Sequence, residues 1–289
     1  MPPLLEIRDL RTYYPIRRGV LARTVGAVRA VDGVSLAVEA GEAVGLVGES
    51  GCGKTTLART ILRLEPPHSG EIRLDGVDVA TLRGAALKAY RRAVQVVFQD
   101  PFASLNPRHT VLDLVTEGML AHGLATPANR REAAARLLDD VGLSADLLER
   151  YPHAFSGGQR QRIAIARALA LGPRLLICDE AVSALDLSVR AQILNLLADL
   201  REKHGLAYLF ITHDLGVVQH LADRIVVMRR GVIVESGPAE QVMARPAHPY
   251  TRELLAAIPR FYAGLSRFNH LLSSRFCEAG GDLRGNLRH

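Results

Sequence analysis

Residues 43–55 read Ala43-Val44-Gly45-Leu46-Val47-Gly48-Glu49-Ser50-Gly51-Cys52-Gly53-Lys54-Thr55. The first five form a short continuous apolar run, the pattern of a strand buried on both faces of a parallel sheet. The next eight fit GxxxxGK[ST], a loop that lies between such a strand and a helix and holds phosphate. Its glycines let backbone N–H groups turn inward around phosphate oxygens. The helix that follows adds the positive end of its dipole at the same point. In this motif Lys54 reaches the β- and γ-phosphates and the Thr55 hydroxyl holds Mg²⁺. A helix is predicted from Lys54 to about Arg63. Strand, loop and helix together point to an α/β fold.

Upstream of this unit, Leu5 to Leu10 alternates apolar and polar residues and reads as a strand, as does Val28 to Val38. Pro15 to Ala27, with its glycines and arginines, reads as a loop between them. Downstream, Ser69-Gly70 opens a hairpin whose strand Glu71 to Leu74 turns at Asp75-Gly76. Val94 to Phe98 is a further strand. From Pro101 to about His153 the chain reads as mainly helical. Ala133 to Val141 carries an apolar face at Leu137, Leu138 and Val141, Gly142 ends that helix, and Ser144 caps the next. This stretch is predicted to be a helical subdomain inserted into the α/β core. Strand signals resume at Leu175 to Cys178, Ala207 to Ile211 and Arg224 to Met228, with helices between them in a βαβ rhythm.

The 289 residues, 48% hydrophobic and 23% charged, have the composition of an ordinary globular chain. No apolar run approaches the ~18 residues of a membrane span. The start, Met1-Pro2-Pro3-Leu4-Leu5, carries no secretory signal pattern. The expectation is therefore a protein of the cytoplasm whose membrane role comes through partners. Three scattered cysteines, Cys52, Cys178 and Cys277, suggest neither a disulfide framework nor a zinc site. A net charge of +6 from dispersed arginines does not indicate nucleic-acid binding.

Two further stretches carry chemistry. Leu175-Leu176-Ile177-Cys178-Asp179-Glu180 delivers two carboxylates at the C-terminal end of an apolar strand, where ligands sit in parallel sheets. Asp179 suits Mg²⁺, and Glu180 suits a general base that polarises the attacking water. Ser156-Gly157-Gly158-Gln159-Arg160 precedes a helical run. Ser156 is a good N-cap, but a cap needs no double glycine, so bare backbone at a positive helix end reads as a second anion site.

In this order, Gly48 to Thr55, Ser156 to Gln159 and the Asp179-Glu180 pair resemble the Walker A, signature and Walker B elements of the ABC ATPase family. The resemblance spans roughly residues 4 to 240. It implies a P-loop NTPase (RecA-like) core with an N-terminal antiparallel β-subdomain and an inserted α-helical subdomain near residues 100–160. The ATPase domain is then 1–245, and 246–289 is a C-terminal extension. The resemblance also implies ATP hydrolysis with Mg²⁺. ATP is held by Gly48, Glu49, Ser50, Gly51, Cys52, Gly53, Lys54, Thr55 and Thr56. Tyr14 stacks on adenine, with Tyr13 as a competitor. Gln99 resembles the Q-loop glutamine at Mg²⁺ or the attacking water, and Asp186 belongs to a D-loop. His213 resembles the switch histidine at the γ-phosphate. Mg²⁺ falls to Thr55, Gln99 and Asp179, and catalysis to Glu180, His213 and Gln99. Ser156, Gly157, Gly158 and Gln159 cap the nucleotide of a second subunit in a head-to-tail dimer. One departure is Ala181 after Glu180, where proline is usual. The lost restraint on φ costs about 0.4–1 kcal/mol.

Three stretches resemble the ATPases of dipeptide and oligopeptide importers: the Pro15 to Ala27 loop before Val28, Gln99 to Pro107, and His248-Pro249-Tyr250-Thr251 followed by Leu254-Leu255. Nickel and glutathione importers are similar there. The implied partners are a second ATPase, a paralogue or a second copy, and two membrane permeases. An extracytoplasmic solute-binding protein acts indirectly. The implied place is the cytoplasmic face of the membrane. The alternatives are an ATPase for nickel or another solute, an exporter, or a non-transport ABC ATPase. The tail from Arg260 departs from the subfamily, lacking proline and holding only Cys277. Phe261, Leu265, Phe268 and Leu272 suit one helix face.

Overall fold

Ala43–Val47 forms a strand in which every residue is buried. The structure, a computed structural model, describes residues 2–18, 23–100 and 104–257. Its strands are β1 (Leu5–Arg18), β2 (Arg23–Val38), β3 (Ala43–Val47), β4 (Ser69–Leu74), β5 (Val77–Asp78), β6 (Val94–Val97), β7 (Leu175–Asp179), β8 (Ala207–Thr212), β9 (Arg224–Arg229) and β10 (Val232–Pro238). Its helices are α1 (Lys54–Ile61), α2 (Gly84–Ala93), α3 (Val111–Ala121), α4 (Arg130–Asp140), α5 (Gly157–Leu169), α6 (Leu187–His204), α7 (Leu215–Leu221), α8 (Ala239–Ala244) and α9 (Pro249–Ala256).

The strands make two sheets. One is six-stranded, in the order β10-β9-β3-β8-β7-β6. Its five strands from β9 to β6 are parallel, and β10 returns antiparallel at the edge. The other is antiparallel, in the order β2-β1-β4-β5. Period-two alternation explains how both faces of the larger sheet are covered. Leu175 and Ile177 of β7, with Leu209 and Ile211 of β8, join α1 and the antiparallel sheet through Leu57, Ile61, Leu5 and Val34. Leu176 and Cys178 of β7, with Tyr208 and Phe210 of β8, face the opposite way, toward Ile163 of α5 and Leu197 of α6. That second core continues into α3 and α4 through Val115 and Leu138.

Several expectations need correction. Pro15 to Arg18 and Arg23 to Ala27 are strand rather than loop, and residues 19–22 lie outside the described residues. Tyr14 pairs with Val28, Pro15 with Ala27 and Ile16 with Gly26, so β1 and β2 form one long ribbon. Proline is tolerated because the β1–β4 ladder ends at Arg11–Ser69, which leaves β1 with a free edge beyond it. The helix from Lys54 stops at Ile61 rather than Arg63, which takes a left-handed φ of 55°. Ser144 makes no side-chain cap, and Ala145–Glu149 is a 3₁₀ turn. Gly142 does end α4, with φ 68°. Helix α2 and strand β10 are additional to the elements expected from the sequence. Phe261, Leu265, Phe268, Leu272 and Cys277 lie outside the described residues.

Candidate functional site

The five parallel strands end along one edge of their sheet, and each delivers a polar residue there. β3 runs into Gly48 to Thr55, β6 into Gln99, β7 into Asp179 and Glu180, β8 into His213 and β9 into Arg230. Strand ends of parallel sheets collect ligands in this way. A cleft of about 550 Å³ opens there. Ser50 to Thr56, Gln99 and Glu180 line it, with Val28, Arg29, Ala30, Arg230 and Gly231 along the rest of its wall.

The loop closes around its own lysine. Lys54 is 4% exposed. Its ammonium donates to the carbonyls of Gly48 (2.7 Å) and Glu49 (2.9 Å), so the buried charge is met by oriented dipoles. Gly53 has φ 110°, and a Cβ there would lie 1.9 Å from the Ala30 carbonyl oxygen. The loop therefore needs glycine at this position to lie against β2, a reason separate from wrapping phosphate.

The Thr55 hydroxyl donates to Asp179 Oδ1 at 3.3 Å. Asp179 is 5% exposed. Burial pushes its carboxyl above the usual range, and the Thr55 hydrogen bond opposes that shift. A hydroxyl and a carboxylate oxygen brought together are the hard-oxygen donors that Mg²⁺ takes beside substrate phosphates. Glu180 holds a left-handed φ of 50°, unusual for a non-glycine residue and characteristic of functional sites. Its N–H donates to the Ile211 carbonyl at 2.8 Å, and its Oε1 lies 3.2 Å from His213 Nδ1. The Ser183 N–H bonds back to the Glu180 carbonyl at 3.0 Å. Ala181 is the second residue of that turn, where proline is favoured.

The two tyrosines separate. Tyr13 donates to Asp32 Oδ1 and stacks on His68, so it is committed elsewhere. Tyr14 is directly opposite Val28, which lines the cleft, and directly paired residues share a face.

The second helix start stands apart. Ser156 caps α5 in a reciprocal capping box, accepting from the Gln159 N–H (3.3 Å) while its own N–H donates to Gln159 Oε1 (3.0 Å). None of Ser156, Gly157, Gly158 or Gln159 lines the cleft. Gly158 instead packs on α6, where a Cβ would lie 2.5 Å from Val189 Cγ1. Asp186 caps α6, accepting from the Val189 N–H and the Ser188 hydroxyl, each at 2.9 Å. These bonds, the Val189 N–H foremost, hold its carboxyl below the usual range.

Sequence reasoning missed three features. Arg29 and Arg230 add positive charge to the cleft wall. Arg190 ties the segment before α6 to the His213 loop, bonding Asp214 Oδ2 at 3.1 Å and the Leu185 carbonyl at 3.3 Å. Tyr250 reaches the phosphate loop from α9, and its hydroxyl accepts from the Glu49 N–H at 2.9 Å. The His248-Pro249-Tyr250-Thr251 stretch was a visible signal, but nothing in it specified this contact.

Comparison with known proteins agrees with this geometry. Residues 31–183 match the family described as ABC transporter, and residues 234–275 match the family described as oligopeptide/dipeptide transporter, C-terminal region. The chain is 50% identical over 257 residues to the oligopeptide transport ATP-binding protein AppF of Bacillus subtilis, covering 89% of this chain and 78% of that protein. It is 49% identical over 283 residues to the glutathione import ATP-binding protein GsiA of Escherichia coli, covering 98% of this chain and 45% of that protein. A solved dimeric structure of the ATP-binding cassette MJ0796, in a post-hydrolysis state bound to ADP and Pi, superposes with TM-score 0.71 at 29% identity, covering 81% of this chain and 98% of that one. The structure of cbiO1 from Clostridium perfringens gives TM-score 0.72 at 26% identity, covering 92% of this chain and 100% of that one.

Proposed function

The chain belongs to the ABC transporter family and is an ATPase of that family; on this premise we propose that it energises the import of di- and oligopeptides. The observation that carries the substrate class is the C-terminal segment, whose family resemblance is to oligopeptide/dipeptide transporters and whose Tyr250 is built against the phosphate loop. Among the described residues no helix is long and apolar enough to cross a membrane. The chain then works at the inner face of the membrane on two permease partners, with the helices between β6 and β7 as the transmitting arm.

In this reading the loop from Gly48 to Thr56 and Lys54 hold the ATP phosphates, and Tyr14 stacks on the adenine. Thr55, Asp179 and Gln99, which lines the cleft, would hold Mg²⁺ beside the phosphates. When bound, Mg²⁺ would supply charge neutralisation at the phosphates. Glu180 accepts the proton of the attacking water, and His213, 3.2 Å from it, orients that carboxylate and reaches the γ-phosphate. Ser156, Gly157, Gly158 and Gln159 lie away from this cleft, which supports their serving the nucleotide of a second ATPase, a paralogue or a second copy, in a head-to-tail dimer. Asp186 then stands at the dimer seam. ATP joins the two chains because each contributes half of a site, and hydrolysis releases them.

The test is uptake by cells that carry Lys54→Ala in place of the native chain. Labelled di- and tripeptides, glutathione (itself a tripeptide) and Ni²⁺ are compared. Loss of peptide uptake is expected, and permease chains are expected to co-purify with the native protein from membranes. Normal peptide uptake beside lost Ni²⁺ uptake refutes the substrate class.

A further inference from the structure

The Glu49 peptide is held from both ends. Its carbonyl accepts from the Lys54 ammonium at 2.9 Å, and its N–H donates to the Tyr250 hydroxyl at 2.9 Å. Tyr250 lies 201 residues from Glu49 in the chain and is 4% exposed. Its position is fixed independently of the loop. Glu235 of β10 accepts from the N–H groups of Ala247 and His248 and from the Thr251 hydroxyl, which clamps the start of α9. His248 Nδ1 accepts from the Tyr250 N–H at 3.1 Å. The Arg229 guanidinium sits 4.5 Å from the centre of the Tyr250 ring, a cation–π contact on a largely buried aromatic. Burial pushes the phenol further above its ordinary range.

We propose that Tyr250 is a positioning residue for ATP: through the Glu49 amide it sets the phosphate loop and the Lys54 ammonium in their nucleotide-binding arrangement, which makes the segment after β10 part of the ATP site. The proposal rests on the reading of Gly48 to Thr56 as that site. Phosphate affinity of such a loop depends on pre-set N–H and ammonium directions, because ordering them on binding costs free energy. A hydroxyl bonded to the loop's backbone removes part of that cost without touching the nucleotide.

The test is Tyr250→Phe in the full chain, assembled with its membrane partners for turnover. Removing one such hydrogen bond is expected to raise KM for ATP and Kd for ADP about threefold to tenfold, with kcat at saturating ATP nearly unchanged. A merely structural role predicts the converse, a lower kcat from lost active protein at constant KM. A second readout needs no nucleotide: hydrogen exchange of the Glu49 amide in the full chain accelerates in Tyr250→Phe. Exchange unchanged from wild type, or a kcat loss at unaltered KM, overturns the proposal. Failure of the wild-type chain to bind ATP overturns the site reading instead, while the exchange measurement still judges the contact. Should Tyr250→Phe fold poorly, Glu235→Gln loosens the same anchor with the hydroxyl intact. It is expected to raise KM in the same direction by a smaller factor, and an unchanged KM there also counts against the idea.

Discussion

Two glycines of one loop separate two kinds of constraint. Gly51 has φ 81° and nothing within 4 Å of where a Cβ would sit. Gly53 has φ 110°, with the Ala30 carbonyl oxygen 1.9 Å from that point. Gly51→Ala therefore meets only left-handed strain, roughly 1–2 kcal/mol. A stiffer unfolded chain offsets this by about 0.4–1 kcal/mol, which leaves about 1 kcal/mol. Gly53→Ala carries at least that strain and an overlap as well. Relief requires the 1.9 Å approach to open to an ordinary contact of 3.4 Å. The atom that must yield is backbone in β2, and β2 is pinned nearby by Asp32 N–H on the Gly231 carbonyl at 2.8 Å. Overpacking of this kind costs about 1–3 kcal/mol, so the total is about 2–4 kcal/mol. At about 2–4 °C per kcal/mol for a chain of this size, Gly51→Ala lowers Tm by about 2–4 °C. Gly53→Ala lowers it by about 4–16 °C on the same scale. Thermal unfolding of the two purified variants beside wild type gives the answer. Equal losses, or a greater loss in Gly51→Ala, refute the claim that close approach to β2 fixes Gly53.

Three other outcomes follow from the geometry. Glu180→Gln keeps the size of the side chain and removes the base, so phosphate release falls by about 10²–10⁴ while ATP binding persists; a near-normal rate assigns the proton to another group. Ser156→Ala removes the cap of α5, at about 1 kcal/mol, and lowers ATP turnover without changing ADP affinity, because Ser156 lies outside the cleft; calorimetry showing ADP weakened in step with turnover contradicts the two-half-site reading. Burial works against the Glu235 charge, yet the Thr251 hydroxyl and the Ala247 and His248 N–H groups outweigh it and depress the pKa below 4.5. A depressed carboxyl gives stability that is complete above the unfolded pKa and is lost as pH falls through the folded one. The melting difference between wild type and Glu235→Gln should therefore be full near neutrality and shrink in acid below about pH 4.5, and a difference constant with pH excludes this linkage.

The parts legible in the sequence are those in which local pattern and chemistry coincide. Val44 and Leu46 are buried on one face of β3 and Ala43 and Val47 on the other, and the glycine spacing after them permits few conformations. Ser156 and Gln159 are separated by the interval of a capping box, so α5 announced its own start. Long-range decisions were less visible. Ile16 and Val25 remain 42% and 59% exposed although they lie in strands, so no burial pattern marked the β1–β2 ribbon. Strand β10 mixes Glu235, Ser236 and Gly237 with apolar residues because only one edge of it is paired. Arg230 and Tyr250 reach the cleft and the loop through tertiary placement, which no local spacing encodes.

The order of the larger sheet sets a timetable for biosynthesis. β3 carries the phosphate loop, yet its neighbours are β8, beginning at Ala207, and β9, beginning at Arg224. The loop is among the earliest parts of the site to leave the ribosome and among the last to acquire its walls. A nascent chain released before β8 has a nucleotide motif in its sequence but neither sheet neighbour to hold the motif in shape. Competence to bind ATP thus arrives late and all at once, when nearly the whole cassette has been made.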